Sequence, residues 1–415
     1  MPATSAMKQR HRFYPPKLNP PLVRFLQKHL PWLVRWQSQL ELVISTEAQV
    51  QLSTLRQHPC VFLCNHPTFN DPLVMFLFSG VIGQPFHYLA AYERFCGLEG
   101  WLLQQIGAYS IRRGQADRDS VAQTLQLLAK PDCKLAIFPE GGCSFQNDTV
   151  MPFRPGAVQM ALQALSKQAK QGETPDLCVV PISLKYCYTG QMKRIIEQTL
   201  QRLERALEVG SQGDVYTRLR IVAATVLGRF EQEYGLADAD SLDWNQRITN
   251  LKARVLQQCE QQLQLTPAPS EPNRERVYRI QHVLEKNDAA MAEEGGNGLY
   301  IDGTDRWEVM RKSLSRVLNF DAIYDGYVAE RPTPERFLDT LTRLEREVFN
   351  IDQPPAKGRR QAFLRVGKPI HLKNYLTEYG CNRSTTVTQL TQQIQETVQR
   401  NLDVLSEATA RDISW

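Results

Sequence analysis

The feature that most restricts the fold is the alternation between residues 60 and 184, where short apolar runs bounded by turn residues take turns with longer helical stretches. Runs at 60–64, 86–90, 107–111, 134–138 and 178–184 have strand length, residues 117–130 and 156–170 have helical period, and another helix is expected from residue 72. Strands separated by helices cannot pair as tight hairpins, because each helix carries the chain back to begin the next strand in the same direction. An α/β layer is expected, with a largely parallel mixed sheet flanked by helices. Ligands of open α/β sheets bind beyond the carboxyl ends of the strands, so the segments that follow the apolar runs are where chemistry is sought.

The first run, Cys60-Val61-Phe62-Leu63-Cys64, stops abruptly at Asn65-His66-Pro67-Thr68-Phe69-Asn70-Asp71-Pro72. Asp71-Pro72 reads as a helix start, with the carboxylate at the N-cap and proline at the first helical position. Five residues apart on one helix, His66 and Asp71 would point in different directions, whereas a strand-loop-helix lets the carboxylate reach the imidazole. A neutral imidazole can take a proton from a hydroxyl near pH 7, and a carboxylate beside it fixes the tautomer and stabilises the imidazolium. An ordinary loop histidine next to a helix cap has the same spacing. Cys60, Cys64 and His66 also suggest a metal, but no second Cys/His pair at ligand spacing completes four ligands, so no metal is expected.

Three later blocks weigh on that choice: Gly107-Ala108-Tyr109-Ser110-Ile111-Arg112-Arg113, Phe138-Pro139-Glu140-Gly141-Gly142-Cys143-Ser144, and Val179-Val180-Pro181-Ile182. With Asn65-His66-x4-Asp71, in this order and spacing, they resemble the glycerolipid acyltransferase family, typified by the lysophosphatidate and glycerol-3-phosphate acyltransferases. The resemblance covers about residues 45 to 190. It resumes at Phe363 to Ile370, similar to the short strand ending in Gly-x-Pro-Ile that in this family follows the Val-Pro block closely.

The resemblance implies an acyltransferase-like sheet and transfer of a fatty acyl group to a hydroxyl, with acyl-CoA or acyl carrier protein as co-substrate and no other cofactor. His66 would be the general base, Asp71 would orient it, and the hydroxyl would attack the thioester without a covalent enzyme intermediate. Arg113, or the adjacent Arg112, would contact an anionic acceptor. Glu140 would bond an acceptor hydroxyl or brace its loop, Gly141 would allow close backbone approach, and Pro181 would shape the acyl-facing strand end. The family continues Thr-Arg-Ser after the Glu-Gly pair, where this chain has Gly142-Cys143-Ser144, so a phosphate-binding arginine is missing. Arg154, just before a helix N-terminus, is expected to compensate. Cys143 as an acyl-accepting nucleophile is set aside, since family members lack a cysteine there. The expected acceptor is lysophosphatidate-like, in phospholipid biosynthesis, with a neutral lipid alcohol such as diacylglycerol as the alternative. A thioesterase and a non-catalytic lipid-binding scaffold are the competing classes.

In a chain of 415 residues, 42% hydrophobic content supplies a substantial core. Nine cysteines fit no disulfide or zinc ladder, and they read as reduced thiols of a cytosol-like compartment. No run approaches the roughly 18 apolar residues of a membrane span, and no signal peptide is recognised. The expected location is cytoplasmic and peripherally membrane-associated. Lys8, Arg10, Arg12, Lys17, Arg24, Lys28 and Arg35 all precede the first acidic residue, Glu41, although the whole chain is only +5. Among them Leu22, Phe25, Leu26, Leu30, Leu33 and Val34 recur at helical spacing beside Trp32 and Trp36, with Pro31 expected to break or kink the segment. One or two short amphipathic helices at a membrane surface are expected, the alternatives being a face packed on the protein's own core or a transit peptide. A nucleic-acid partner is not expected, because the basic residues cluster in this arm instead of across a folded face. The expected divisions are a basic interface segment at 1–44, a catalytic core at 45–189, a long all-helical insertion at 190–358, and a returning strand and C-terminal helix of the core at 359–415.

Overall fold

In the computed structural model, residues 13–44, 46–114, 117–172, 176–236, 242–293, 302–321 and 323–410 are described. Lys8, Arg10 and Arg12 of the basic arm lie outside them. One sheet of eight strands organises the chain, in the order β1-β7-β6-β2-β5-β3-β4, with β8 beside β6. Its centre is β2 (Cys60–Cys64), all five residues of which are buried, as a strand covered on both faces requires. β2 runs parallel to β5 (Lys134–Ile137) and β6 (Cys178–Tyr188), and β3 (His87–Ala91) joins β5 to β4 (Ala108–Ile111) in the same direction. β7 (Arg360–Val366) and β8 (Ile370–His371) pair antiparallel with β6. The sheet is therefore mixed and mostly parallel.

Helices cover both faces. On one, α1 (Pro20–Gln37), α2 (Thr46–Gln57) and α3 (Asp71–Ile82) bury Val23, Leu55 and Phe78 against Phe62, Cys64 and Ile182 of the sheet. On the other, α5 (Arg118–Leu128), α6 (Gly156–Lys170) and α15 (Arg383–Ala408) lay Leu127, Leu162 and Ile394 on Val61, Leu63 and Val179. The stripe Val387, Leu390, Ile394, Val398 and Leu402 is the buried face of α15. α4 (Gly97–Gln105) precedes β4, and α14 (Leu376–Cys381) precedes α15.

Two local expectations need correction. β1 (Leu40–Ile44), placed by the sequence in the basic arm, is an edge strand parallel to β7. Its pairing partner lies far along the chain, so no local pattern marks it as part of the sheet. Pro31 does not break α1, which runs unbroken over its full length. Asn19 caps the start by accepting from Leu22 N–H, and Gln27 donates to Ser79 Oγ at 2.9 Å and to Gln84 O. These contacts, with buried Val23 and Val34 on either side of Pro31, hold the helix against the loss of one backbone bond.

Between β6 and β7 the described chain passes through α7 (Lys193–Leu207), α8 (Val215–Glu233), α9 (Trp244–Gln262), α10 (Asn273–Glu293), α11 (Asp302–Phe320), α12 (Tyr327–Glu330) and α13 (Pro334–Phe349). These helices share a core of their own, built from residues such as Leu200, Val226, Leu256, Val277 and Leu341. The chain leaves the sheet after Tyr188 and rejoins it at Arg360, its direct partner across the β6–β7 ladder.

Candidate active site

β6 continues past the end of β2, and Asn65 takes over the ladder there: its side chain donates to Leu184 O at 2.9 Å and accepts from Leu184 N at 2.8 Å. That double bond anchors the loop carrying His66. Across the loop, His66 Nδ1 donates to Asp71 Oδ2 at 2.6 Å. Asp71 is fully buried and is the first residue of α3, one place beyond the N-cap, Asn70. Its side chain turns back into the loop, accepting from Thr68 N–H and Thr68 Oγ1, both at 2.9 Å, and from the Tyr186 hydroxyl at 2.6 Å. The helix N-terminus adds a favourable field for its negative charge. With Nδ1 committed to the carboxylate, Nε2 is left to take a proton, and the ring keeps a small exposed edge, 16% of the side chain. Phe138 stacks on the imidazole, with centroids 4.5 Å apart.

The block after β5 closes over the same loop. Glu140 Oε1 accepts the His66 backbone N–H at 2.9 Å, and Ser144 N–H donates to His66 O at 2.8 Å. Of the two roles open to Glu140, bracing the loop is the one this geometry serves. Burial pushes its carboxyl up to about 8, so it is largely protonated at neutral pH. Gly141 has φ of +74°, and a Cβ there would lie 2.7 Å from the Arg154 guanidinium. Cys143 is a poor nucleophile, because burial holds its thiol well above the ordinary range.

Of the arginines, Arg113 and Arg154 converge. Each guanidinium lies 5.0 Å from the ring centroid of Tyr278, and Arg154 also pairs with Glu275 at 3.0 Å and Arg113 with Glu93 at 3.4 Å. Arg112 goes elsewhere, over the Tyr92 ring at 5.2 Å. Pro181 is a buried residue of β6, opposite Leu63, and its carbonyl accepts from Gly367 N–H at 2.7 Å. It packs the strand end and does not join the cluster around His66. The trio Cys60, Cys64 and His66 diverges: Cys64 Sγ meets Met75 Sδ at 3.6 Å and Cys60 Sγ meets His58 O at 3.2 Å. A different group, Asp176, Cys178 and His371, lies within 4.8 Å, with Lys373 Nζ already on Asp176 at 3.1 Å.

The family model described as Acyltransferase matches residues 46–185, a span that runs from α2 through most of β6 and takes in the His66–Asp71 pair and the Glu140 loop. Residues 46–185 are an acyltransferase domain. The match places it in the glycerolipid acyltransferase family and makes the protein an acyltransferase. No curated protein matches the chain in sequence.

Several residues that hold this candidate site together are ones the sequence did not point to. Thr68 and Tyr186 hold Asp71, and Tyr186 lies one residue beyond the matched span, inside an apolar strand. Two more come from α10. Arg274 Nη1 donates to Gly142 O at 3.0 Å and Glu140 O at 3.3 Å, and the Tyr278 hydroxyl donates to Gly141 O at 2.7 Å. A Cβ on Gly142 would stand 3.0 Å from both Arg274 Nη1 and the Tyr278 hydroxyl. The glycine that departs from the family pattern thus makes room for this helix.

Proposed function

We propose that the protein moves a fatty acyl chain from acyl-CoA or acyl carrier protein to a hydroxyl of a lysophosphatidate-like glycerolipid at a membrane surface, in phospholipid biosynthesis, with His66 as general base. The observation that carries this is the 2.6 Å bond from His66 Nδ1 to an Asp71 carboxylate that three further donors hold in place. The acceptor O–H gives its proton to Nε2 as its oxygen attacks the thioester carbonyl. The tetrahedral intermediate then collapses, the C–S bond breaks, and the imidazolium returns the proton to the leaving thiolate. Asp71 stabilises the imidazolium between the two transfers. Arg154, beside Gly141, and Arg113, on the same Tyr278 ring, support an acceptor with an anionic headgroup.

The test is acyl transfer by wild-type and His66→Ala protein from labelled acyl-CoA and acyl carrier protein to lysophosphatidate, glycerol 3-phosphate, lysophospholipids and diacylglycerol. Product with lysophosphatidate, reduced about 10²- to 10⁴-fold in the variant, is the expected outcome. Free fatty acid released without any acceptor would make the protein a thioesterase. Product with diacylglycerol alone would replace the anionic acceptor by a neutral one.

A further inference from the structure

Tyr278, 2% exposed, is fixed from three sides. Its hydroxyl holds Gly141 O, its Cβ stands 2.3 Å from where a side chain on Gly114 would begin, and its ring has the guanidiniums of Arg113 and Arg154 each 5.0 Å from its centroid. Two guanidiniums on one ring repel each other unless anions neutralise them. Glu93 serves Arg113, and Glu275, one turn before Tyr278 on α10, serves Arg154. Glu275 differs from Tyr278 in being half-exposed, with 38% of its side chain in contact with solvent. A pair of that kind is screened and weak, so a stronger anion can replace it. A phosphate monoester is such an anion, carrying between one and two charges at neutral pH and offering several oxygens to a guanidinium fork. Arg154 also packs directly on Gly141, next to the Glu140 that holds the His66 backbone, so an anion on this arginine is two residues from the base's own support.

We propose that Glu275 is a tethered occupant of the acceptor's headgroup site: its carboxylate sits on Arg154 in the free enzyme, and an acceptor binds by displacing it. Tyr278 is the fixed wall that keeps both arginines aligned. The arrangement selects by charge, since a neutral headgroup has nothing with which to displace the carboxylate and a phosphate monoester does. This deepens the acceptor reading above and rests on it.

The experiment is calorimetric titration of the full-length protein with sn-glycerol 3-phosphate as a soluble headgroup probe and glycerol as the neutral control, for wild type, Glu275→Gln and Arg154→Gln. Glu275→Gln keeps the shape of an exposed side chain and leaves Arg274 and Tyr278 in place, so α10 stays seated. Tighter binding of glycerol 3-phosphate by Glu275→Gln, by about two- to fivefold, with binding lost in Arg154→Gln and glycerol unaffected, is the expected result. Equal or weaker binding by Glu275→Gln, or no binding to any of the three proteins, would overturn the proposal. Because binding is read without turnover, the two proposals fail separately. Tighter binding in Glu275→Gln alongside no acyl transfer from any donor would remove the catalytic reading and leave the displaced carboxylate standing.

Discussion

Glu140 is a buried acid whose carboxyl is pushed up to about 8, with desolvation as the main cause. The unfolded chain gives up this proton near the ordinary value of 4.5, so between 4.5 and 8 the folded protein binds more protons than the unfolded one. The sign follows directly: stability falls as pH rises through that window and levels off above it. Glu140→Gln removes the titration and keeps an oxygen for the His66 N–H. The variant is expected to gain stability relative to wild type between pH 5 and pH 9, measured as urea midpoints at the two pH values, and an unchanged gap would refute the assignment. At this scale the sequence was legible where partners are close in the chain. His66 and Asp71 could be paired because a loop of four residues separates them and a strand and a helix fix its ends. Tyr186 could not, because a tyrosine within a strand looks like core until the strand's neighbours are known, and only the pairing of β6 beside β2 brings its hydroxyl to Asp71.

Among the elements, α1 shows why periodicity alone left two readings open. One stripe packs inward through Val23 and Val34, and the opposite face presents Phe25, Trp32 (72% exposed) and Trp36 (73%), the two indoles stacked 6.3 Å apart. Asn19, at the head of α1, donates its backbone N–H to Gln105 O at the end of α4, and α4 itself exposes Leu98 and Trp101. No helix among the described residues is long and apolar enough to cross a membrane. We propose that this face lies in the membrane interface, where tryptophan and leucine enter the acyl boundary and Arg24, Lys28 and Arg35 meet anionic headgroups. Trp32→Ala/Trp36→Ala is expected to weaken sedimentation with anionic phospholipid vesicles at least about tenfold, with the fold intact because both side chains point to solvent. Sedimentation equal to wild type would show that the exposed aromatics serve something else. The strands and helices from 60 to 184 were readable because each is bounded by turn residues and its period is clear. β1 and the short α4 and α14 were not, since they are brief and take their identity from partners distant in sequence.

The molecule as a whole is held together by buried polar contacts between the sheet and the helices α7 to α13, and these were invisible in the sequence, which gives charges without partners. Asp148 is the centre of one such group. It pairs with Lys185 of β6, accepts from Arg336 Nε of α13 at 2.8 Å, and accepts from Ser406 Oγ of α15 at 3.3 Å. Burial pushes its carboxyl up, but Lys185 and Arg336 outweigh that and hold it below the ordinary range. One residue earlier, Asn147 N–H donates to Asp339 of α13 at 3.0 Å, and Arg343 of the same helix donates to Ser144 O, so the segment that follows the Glu140 loop is fastened to α13. Replacing Asp148 by asparagine would leave buried Lys185 without its counter-charge and Arg336 with only the 3.6 Å pair to exposed Glu330, and breaking a buried pair in this way costs about 3–5 kcal/mol. Because the folded-state value is depressed, wild type holds this stabilisation above the ordinary carboxyl value of 3.8 and loses it as pH falls through the lower one. Urea unfolding of Asp148→Asn should therefore show the deficit at pH 7 and a narrowing gap in acid. If the helices of α7 to α13 stood apart from the sheet, the variant would lose only local order near residue 148. A fall in the midpoint of the whole transition, reported alike by probes in the sheet and in α13, is what the shared ion cluster requires.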